Sequence, residues 1–174
     1  EEGERVLLLG PSGSGKTTLL NCIAALDNPT AGEYSFNGNE VPRGHAEKMT
    51  TFRRDNIGYV FQFYNLLQDL TALENILLIQ ELSGGRDVGR ARELLRLVGL
   101  ESEVNRFPAE MSGGQQQRVA IARSLAKAPK LLLGDELTGN LDSKTSAMVM
   151  GVLIKACESE NITTVMVTHD ESLS

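Results

Sequence analysis

Gly10-Pro-Ser-Gly-Ser-Gly-Lys-Thr17 is the stretch that decides the fold, because it follows an apolar run at residues 6–9 and opens a helical pattern over residues 16–26. Its spacing matches the phosphate-binding loop G-x-x-x-x-G-K-[ST]. In that loop backbone N–H groups hold the phosphates, the lysine reaches the β- and γ-oxygens, and the hydroxyl group binds Mg²⁺. A strand, this loop and a helix whose N-terminus faces an anion form a βα unit. The predicted nucleoside triphosphate site comprises Gly10, Pro11, Ser12, Gly13, Ser14, Gly15, Lys16, Thr17 and Thr18.

The composition indicates one globular domain. The 174 residues are 41% hydrophobic and 23% charged, and the net charge of −6 argues against a non-specific nucleic-acid surface. No apolar run is long enough to cross a bilayer. Cys22 and Cys157 lie far apart, so they are interpreted as buried thiols of a reducing compartment rather than a zinc site. A strand at the start and a helical pattern at residues 170–174 lead us to expect a domain cut at both ends.

Apolar runs bounded by turn residues predict buried strands at residues 6–9, 57–61, 131–133 and 163–168. Helical patterns between them predict an α/β fold with a mainly parallel sheet. Residues 33–36, followed by Asn37-Gly38, predict a short antiparallel strand whose partners we expect before Glu1. Residues 63–106 carry no strand pattern and predict two helices, at 72–82 and 86–98. We therefore predict a sheet core at residues 1–62 and 107–174, with a helical subdomain at 63–106.

Asp135 and Glu136 follow the third of these buried strands. Acidic residues often end a strand merely as turn formers or helix caps. Opposite a phosphate-binding loop, however, Asp135 can hold Mg²⁺ or one of its waters. Glu136 can then orient and deprotonate an attacking water. We therefore predict a magnesium ligand at Asp135 and a general base at Glu136.

A second motif begins at Ser112-Gly-Gly-Gln115. Ser112 and Gln115 form a capping-box pattern, and Val119, Ala122 and Leu125 keep one face of the following helix apolar. A capped helix alone would explain those features. Glycine is a poor helix former, so Gly113 and Gly114 indicate that the backbone approaches something closely. The positive helix N-terminus suits a phosphate group.

The order of motifs resembles that of the ATP-binding-cassette (ABC) ATPases along nearly the whole chain. It runs from the phosphate loop through Val60-Phe-Gln62, the helical subdomain and Ser112-Gly-Gly-Gln115 to Asp135-Glu136, Asn140-Leu-Asp142 and His169. The resemblance implies a homodimer of head-to-tail domains with ATP between them, so that Ser112, Gly113, Gly114 and Gln115 act in trans. It also implies that Gln62 senses Mg²⁺ and the γ-phosphate, that His169 contacts the γ-phosphate and that Asp142 crosses the dimer interface. Locally, Asp142 could simply cap the helix that begins near Ser143.

Residues 52–67, 70–75 and 138–143 resemble the branch that contains lipoprotein-releasing, macrolide-efflux and cell-division cassette ATPases. That resemblance implies a P-loop ATPase that hydrolyses ATP with Mg²⁺ as part of a transporter or force-transmitting complex. The chain would lie on the cytoplasmic face of the membrane, held there by an integral membrane partner. Tyr64, Leu66 and Leu67 either receive that partner or belong to the core.

Two other function classes would require different sequence features. A soluble cassette switch acting on ribosomes or DNA would be favoured by tandem cassettes or a long insertion between Gln62 and Ser112. A phosphate-loop kinase would leave the Ser112 motif unexplained.

The sequence departs from the family pattern at three places. Leu137 stands where proline is usual, which predicts a less rigid turn after Glu136. Met111 replaces the usual leucine with little change in volume. The aromatic residue that stacks on adenine would precede Glu1, so base recognition has no residue assigned to it.

Overall fold

A computed structural model describes residues 2–168, which form a four-stranded parallel sheet covered by helices on both faces. The strands and helices, in chain order, are β1 (Arg5–Leu9), α1 (Lys16–Ile23), β2 (Ser35–Phe36), β3 (Asn39–Glu40), α2 (Ala46–Asn56), β4 (Ile57–Val60), α3 (Ala72–Leu82), α4 (Val88–Leu97), α5 (Gly113–Ser124), β5 (Leu131–Asp135), α6 (Ser143–Ser159) and β6 (Thr163–Thr168). The strand order in the sheet is β1-β6-β5-β4. This arrangement confirms the predicted α/β fold class.

The two faces of the sheet bury alternate residues of the same strands. Leu131 and Leu133 of β5 pack with Leu20 of α1 on one face. Leu132 belongs to the larger cluster on the other face, together with buried residues of α3, α4, α5 and α6. Because parallel strands are buried on both sides, β5 is apolar over residues 131–134, before Asp135, rather than alternating.

The short strand predicted near residue 33 finds its partner within the described chain. Ser35 and Phe36 of β2 pair antiparallel with Glu40 and Asn39 of β3. The turn between them contains Asn37 at φ 49° and Gly38 at φ 76°. An Asn-Gly turn with two positive φ angles matches the twist of a hairpin. The strand therefore has a partner at residues 39–40 that the sequence analysis did not anticipate, and pairing with residues before Glu1 stays a prediction.

Several element boundaries differ from the sequence prediction. Helix α1 ends at Ile23 rather than near Leu26, because Ala25 adopts a left-handed conformation at φ 51°. The N–H groups of Ala25 and Leu26 donate to the carbonyls of Cys22 and Asn21, the pattern that closes many helices. Helix α4 begins at Val88 rather than Arg86, because the Asp87 side chain accepts from the N–H of Arg90. Helix α2 had no counterpart in the prediction.

Candidate active site

The phosphate loop lies between the end of β1 and the first residue of α1. Gly13 at φ 80° and Gly15 at φ 90° hold the left-handed backbone that brings the chain round into the helix. Lys16 is the first residue of α1, and its ammonium group donates to the carbonyls of Gly10 at 2.6 Å and Pro11 at 2.8 Å. Most of the loop is exposed, as are Thr17 and Thr18. The backbone and the Lys16 cation are therefore accessible to an anion.

The hydroxyl group of Thr17 meets the carboxylate of Asp135 across the sheet edge. Thr17 Oγ1 donates to Asp135 Oδ1 at 3.2 Å. Partial burial raises the pKa of Asp135, and nearby Glu136 adds to this, while the Thr17 hydrogen bond and Lys16 act in the opposite direction. Two hard oxygen atoms on separate elements fit Mg²⁺, which binds few protein ligands and keeps several waters. No cluster of three or more His, Cys, Asp or Glu residues that could hold a metal occurs within residues 2–168.

Glu136 follows β5 directly and has the left-handed φ of 46°. Its N–H donates to the carbonyl of Val167 in β6 at 3.1 Å. The side chains of Glu136 and Gln62 both lie beside Gly139. A Cβ atom placed on Gly139 would lie 3.3 Å from Gln62 Nε2 and 3.9 Å from Glu136 Oε2. The two side chains therefore converge on Gly139, next to the Thr17 and Asp135 pair.

Five predicted residues come together at the carboxyl edge of the sheet, and these are Lys16, Thr17, Gln62, Asp135 and Glu136. The carboxyl ends of parallel strands are where α/β sheets bind ligands. The backbone carbonyl of Gln62 also accepts from Asn140 Nδ2 at 3.3 Å, which joins the segment after β4 to the segment before α6. His169 lies outside the described residues.

The Ser112 motif caps α5 as predicted. Ser112 Oγ accepts from the N–H of Gln115 at 3.3 Å, and Gln115 Oε1 accepts from the N–H of Ser112 at 2.9 Å. Ser112 is exposed at this helix N-terminus, whereas Val119, Ala122 and Leu125 are buried. The side chains nearest to Gly113 and Gly114 belong to Tyr64, Leu141 and Thr145. The motif therefore packs against the start of α6 and the segment after Gln62.

Asp142 caps α6 through hydrogen bonds to the N–H groups of Lys144 and Thr145, both at 3.1 Å. This confirms the local interpretation of that residue. The pKa of Asp142 is lowered, chiefly by the Thr145 hydroxyl and N–H.

Sequence reasoning missed Arg123, which forms hydrogen bonds to the backbone of the segment after Gln62. Its guanidinium donates to the carbonyls of Tyr64 at 2.9 Å and Asn65 at 2.5 Å. Tyr64 and Asn65 are both left-handed, at φ 57° and 50°. Only the asparagine, which tolerates this conformation, gave a sequence signal for the turn. Burial lowers the pKa of Arg123, but no arginine loses its charge in proteins.

The apolar residues after Gln62 are not equally accessible. Leu66 is 7% exposed and belongs to the core, and Tyr64 turns its hydroxyl toward Gly113. Leu67 is 48% exposed, and Phe63, which the sequence prediction did not include, is 70% exposed. Of the apolar residues that follow Gln62 at positions 63–67, Phe63 and Leu67 are thus the exposed ones. No helix among residues 2–168 is long and apolar enough to span a membrane.

Comparison with known proteins identifies relatives of this chain. The sequence model described as "ABC transporter" matches residues 1–139. A lipoprotein-releasing system ATP-binding protein LolD from Geobacter metallireducens is 48% identical over 176 residues, which cover 99% of this chain and 78% of that protein. A macrolide export ATP-binding/permease protein MacB from Syntrophobacter fumaroxidans is 45% identical over 99% of this chain and 25% of its own length.

A solved structure shows the same fold. It is the dimeric post-hydrolysis state of the ATP-binding cassette MJ0796 bound to ADP and Pi. Its TM-score is 0.87 at 45% sequence identity, with 99% of this chain and 78% of that chain covered.

Proposed function

Because the chain belongs to the ABC transporter family, we propose that the residues gathered at the carboxyl edge of its sheet bind and hydrolyse ATP, in a site that a second copy completes. The chain is an ATP-binding and ATP-hydrolysing subunit of an ABC transporter. The family match supports this function over a soluble switch acting on ribosomes or DNA. The observation that carries the residue assignment is the meeting of Thr17 and Asp135 beside Glu136.

Each residue at this edge has a role that its chemistry suits. Lys16 and the N–H groups of the phosphate loop hold the β- and γ-phosphates. Thr17 and Asp135 hold Mg²⁺, which neutralises phosphate charge when bound. Glu136 orients and deprotonates the attacking water. Gln62, whose amide converges with Glu136 on Gly139, contacts Mg²⁺ and the γ-phosphate, and His169 contacts the γ-phosphate.

The exposed N-terminus of α5 supports a shared site. Ser112 is exposed at the end of a capped helix, Gly113 and Gln115 are half-buried and Gly114 is buried, and the N–H groups and the helix dipole at this end favour an anion. We assign them to the γ-phosphate bound by the second copy, and Asp142 to the interface between the copies. The dimeric state of MJ0796 supports the same arrangement.

The apolar surface of Phe63 and Leu67 is assigned to an integral membrane partner. It adjoins Gln62, so a partner bound there would act directly on the segment that reaches the γ-phosphate. The names of the LolD and MacB relatives support a partner of the lipoprotein-releasing or macrolide-exporting kind. The chain would then lie on the cytoplasmic face of the membrane, attached through that partner. The helical subdomain at residues 63–106, which contains α3 and α4, stays our proposed division of the domain.

The test is Glu136→Gln, which keeps the shape of the side chain and removes the base. ATP binding should stay near the parental level, while hydrolysis falls by about 100-fold or more. The ATP-bound dimer should then accumulate on size exclusion with Mg-ATP. Lys16→Ala is the matched control, because it should weaken nucleotide binding itself. Parental hydrolysis by Glu136→Gln would remove Glu136 from the mechanism.

A further inference from the structure

Gly113 and Gly114 lie where a side chain would collide with other parts of the same chain. A Cβ atom on Gly113 would be 2.9 Å from Tyr64 Oη, and one on Gly114 would be 2.5 Å from Thr145 Cγ2. The tyrosine hydroxyl is the far end of a long side chain. The Thr145 methyl group is bonded directly to a branched Cβ and is much stiffer. Thr145 is therefore the neighbour that most strictly requires a glycine.

Thr145 cannot turn its methyl group away without giving up a hydrogen bond. Its hydroxyl donates to Asp142 Oδ2 at 2.6 Å, and Asp142 Oδ1 accepts from two N–H groups at the start of α6. Rotation about χ1 would move the methyl and hydroxyl groups together. The Asp142 carboxylate thus fixes the rotamer that presses the methyl group against Gly114.

We propose that Thr145 is a positioning residue for the Ser112 motif: its hydroxyl group is held by Asp142, and its methyl group sets how closely the Gly114 backbone approaches α6. This inference rests on the proposed shared site, in which the Ser112 motif and Asp142 both face the second copy. Thr145 fixes the spacing between these two elements before the copies meet. Each monomer then already orders these two elements, so less conformational entropy is lost when the copies associate.

The experiment uses four variants in the Glu136→Gln chain, in which the ATP-bound dimer accumulates. These are Gly114→Ala, Thr145→Ser, Thr145→Val and the double variant Gly114→Ala/Thr145→Ser. The readout is the Mg-ATP concentration that gives half-maximal dimer by analytical ultracentrifugation. Binding of a fluorescent ATP analogue at protein concentrations that keep the chain monomeric is measured alongside.

Gly114→Ala should raise the half-maximal concentration about tenfold or more, because the new Cβ overlaps the threonine methyl group. Thr145→Ser removes that methyl group and leaves Thr145 Cβ, 4.0 Å from the new atom, as the remaining neighbour on that residue. The double variant should therefore be no worse than Thr145→Ser alone. Thr145→Val keeps a methyl group and loses the hydroxyl, and we expect an increase of about threefold. Binding of the analogue to the monomer should stay constant, which a general loss of folding would not allow.

Thr51, exposed on α2, supplies the matched controls Thr51→Ser and Thr51→Val, which should behave as the parent. Melting temperatures without ATP should show the same rescue of Gly114→Ala by Thr145→Ser. The inference is overturned if Gly114→Ala dimerises like the parent, if the losses in the double variant simply multiply, or if both Thr145 single variants match the parent. Failure of the Glu136→Gln parent to dimerise would instead overturn the shared site, and this inference with it.

Discussion

Leu137 anchors the turn that carries the proposed base. Its side chain is 5% exposed, and its Cδ1 atom would lie 2.9 Å from a Cβ atom on Gly134. Glu136 holds its φ of 46° between the end of β5 and this buried leucine. The packing of the Leu137 side chain against β5 thus restrains the backbone of this turn.

Leu137→Ala should therefore lower the free energy of unfolding by about 2–4 kcal/mol, since it leaves a cavity against Gly134. Urea denaturation measures the change. Met148→Ala, at a position that is 48% exposed on α6, is the control and should change stability by less than about 0.5 kcal/mol. Equal stabilities for the two variants would show that Leu137 does not anchor the turn.

Lys127 is a partly buried cation that should make stability depend on pH. Its ammonium donates to the carbonyl of Arg53 at 2.7 Å, and burial lowers its pKa from 10.5 to about 8. Below about pH 8 the lysine is charged in both states. Between about pH 8 and 10.5 the unfolded chain binds the additional proton, so this group's contribution to stability rises with pH.

The melting temperature of the parent should therefore rise relative to that of Lys127→Met between pH 8 and pH 10.5. Melting curves at half-unit steps, at constant ionic strength, make the comparison. Lys130→Met is the control, because the Lys130 side chain is exposed whereas that of Lys127 is partly buried. Parallel curves for the parent and Lys127→Met would contradict the lowered pKa.

At the scale of elements, helices α3 and α5 both begin with a capping box. Thr71 and Glu74 form a capping box at α3, as Ser112 and Gln115 do at α5. Each hydroxyl accepts from the N–H three residues later at 3.3 Å. The two caps should therefore stabilise the fold equally, although only the second is assigned to ATP.

Thr71→Ala and Ser112→Ala should each cost about 1 kcal/mol in the free energy of unfolding. Only Ser112→Ala should also slow ATP hydrolysis, measured at saturating Mg-ATP. The pair separates a helix cap from a nucleotide contact, since each variant is the other's control. Equal hydrolysis rates in Thr71→Ala and Ser112→Ala would show that Ser112 caps α5 but does not contact the nucleotide.

Local signals predicted elements well where they were strong. Helix α3 was predicted with its observed bounds, residues 72–82, and β6 with its observed bounds, residues 163–168. Helix α2 was missed because it buries only Met49 and so carries little apolar periodicity. The end of α1 was misplaced because alanine, not glycine, takes the left-handed position there. A helix end at which alanine is left-handed cannot be recognised from the sequence.

At the scale of the whole molecule, the parallel sheet accounts for what could be predicted of the site. It brings the residues that follow β1, β4 and β5 to one edge, so the phosphate loop and the acidic strand end indicated that Lys16 and Asp135 would meet, and the family resemblance added Gln62 to them. The contacts of Gly114 with Thr145 and of Arg123 with Tyr64 could not be predicted. They depend on how α5 packs against α6 and against the segment after Gln62.

The central claim is that each ATP site is shared between two copies of the chain. Lys16→Ala removes a phosphate contact, and Ser112→Arg blocks the helix N-terminus that would face the other copy. Each homodimer then has two defective sites. A mixed dimer combines both lesions in one site and leaves the other intact.

The most direct test is ATP hydrolysis by the two variants, carrying different affinity tags, before and after mixing. Alone, each should be nearly inactive. An equal mixture should recover about a quarter of the parental rate, because half of the dimers are mixed and each has one intact site. Purification through both tags should retain that activity. Mixed dimers that form in this way but hydrolyse no faster than either variant alone would contradict the shared site.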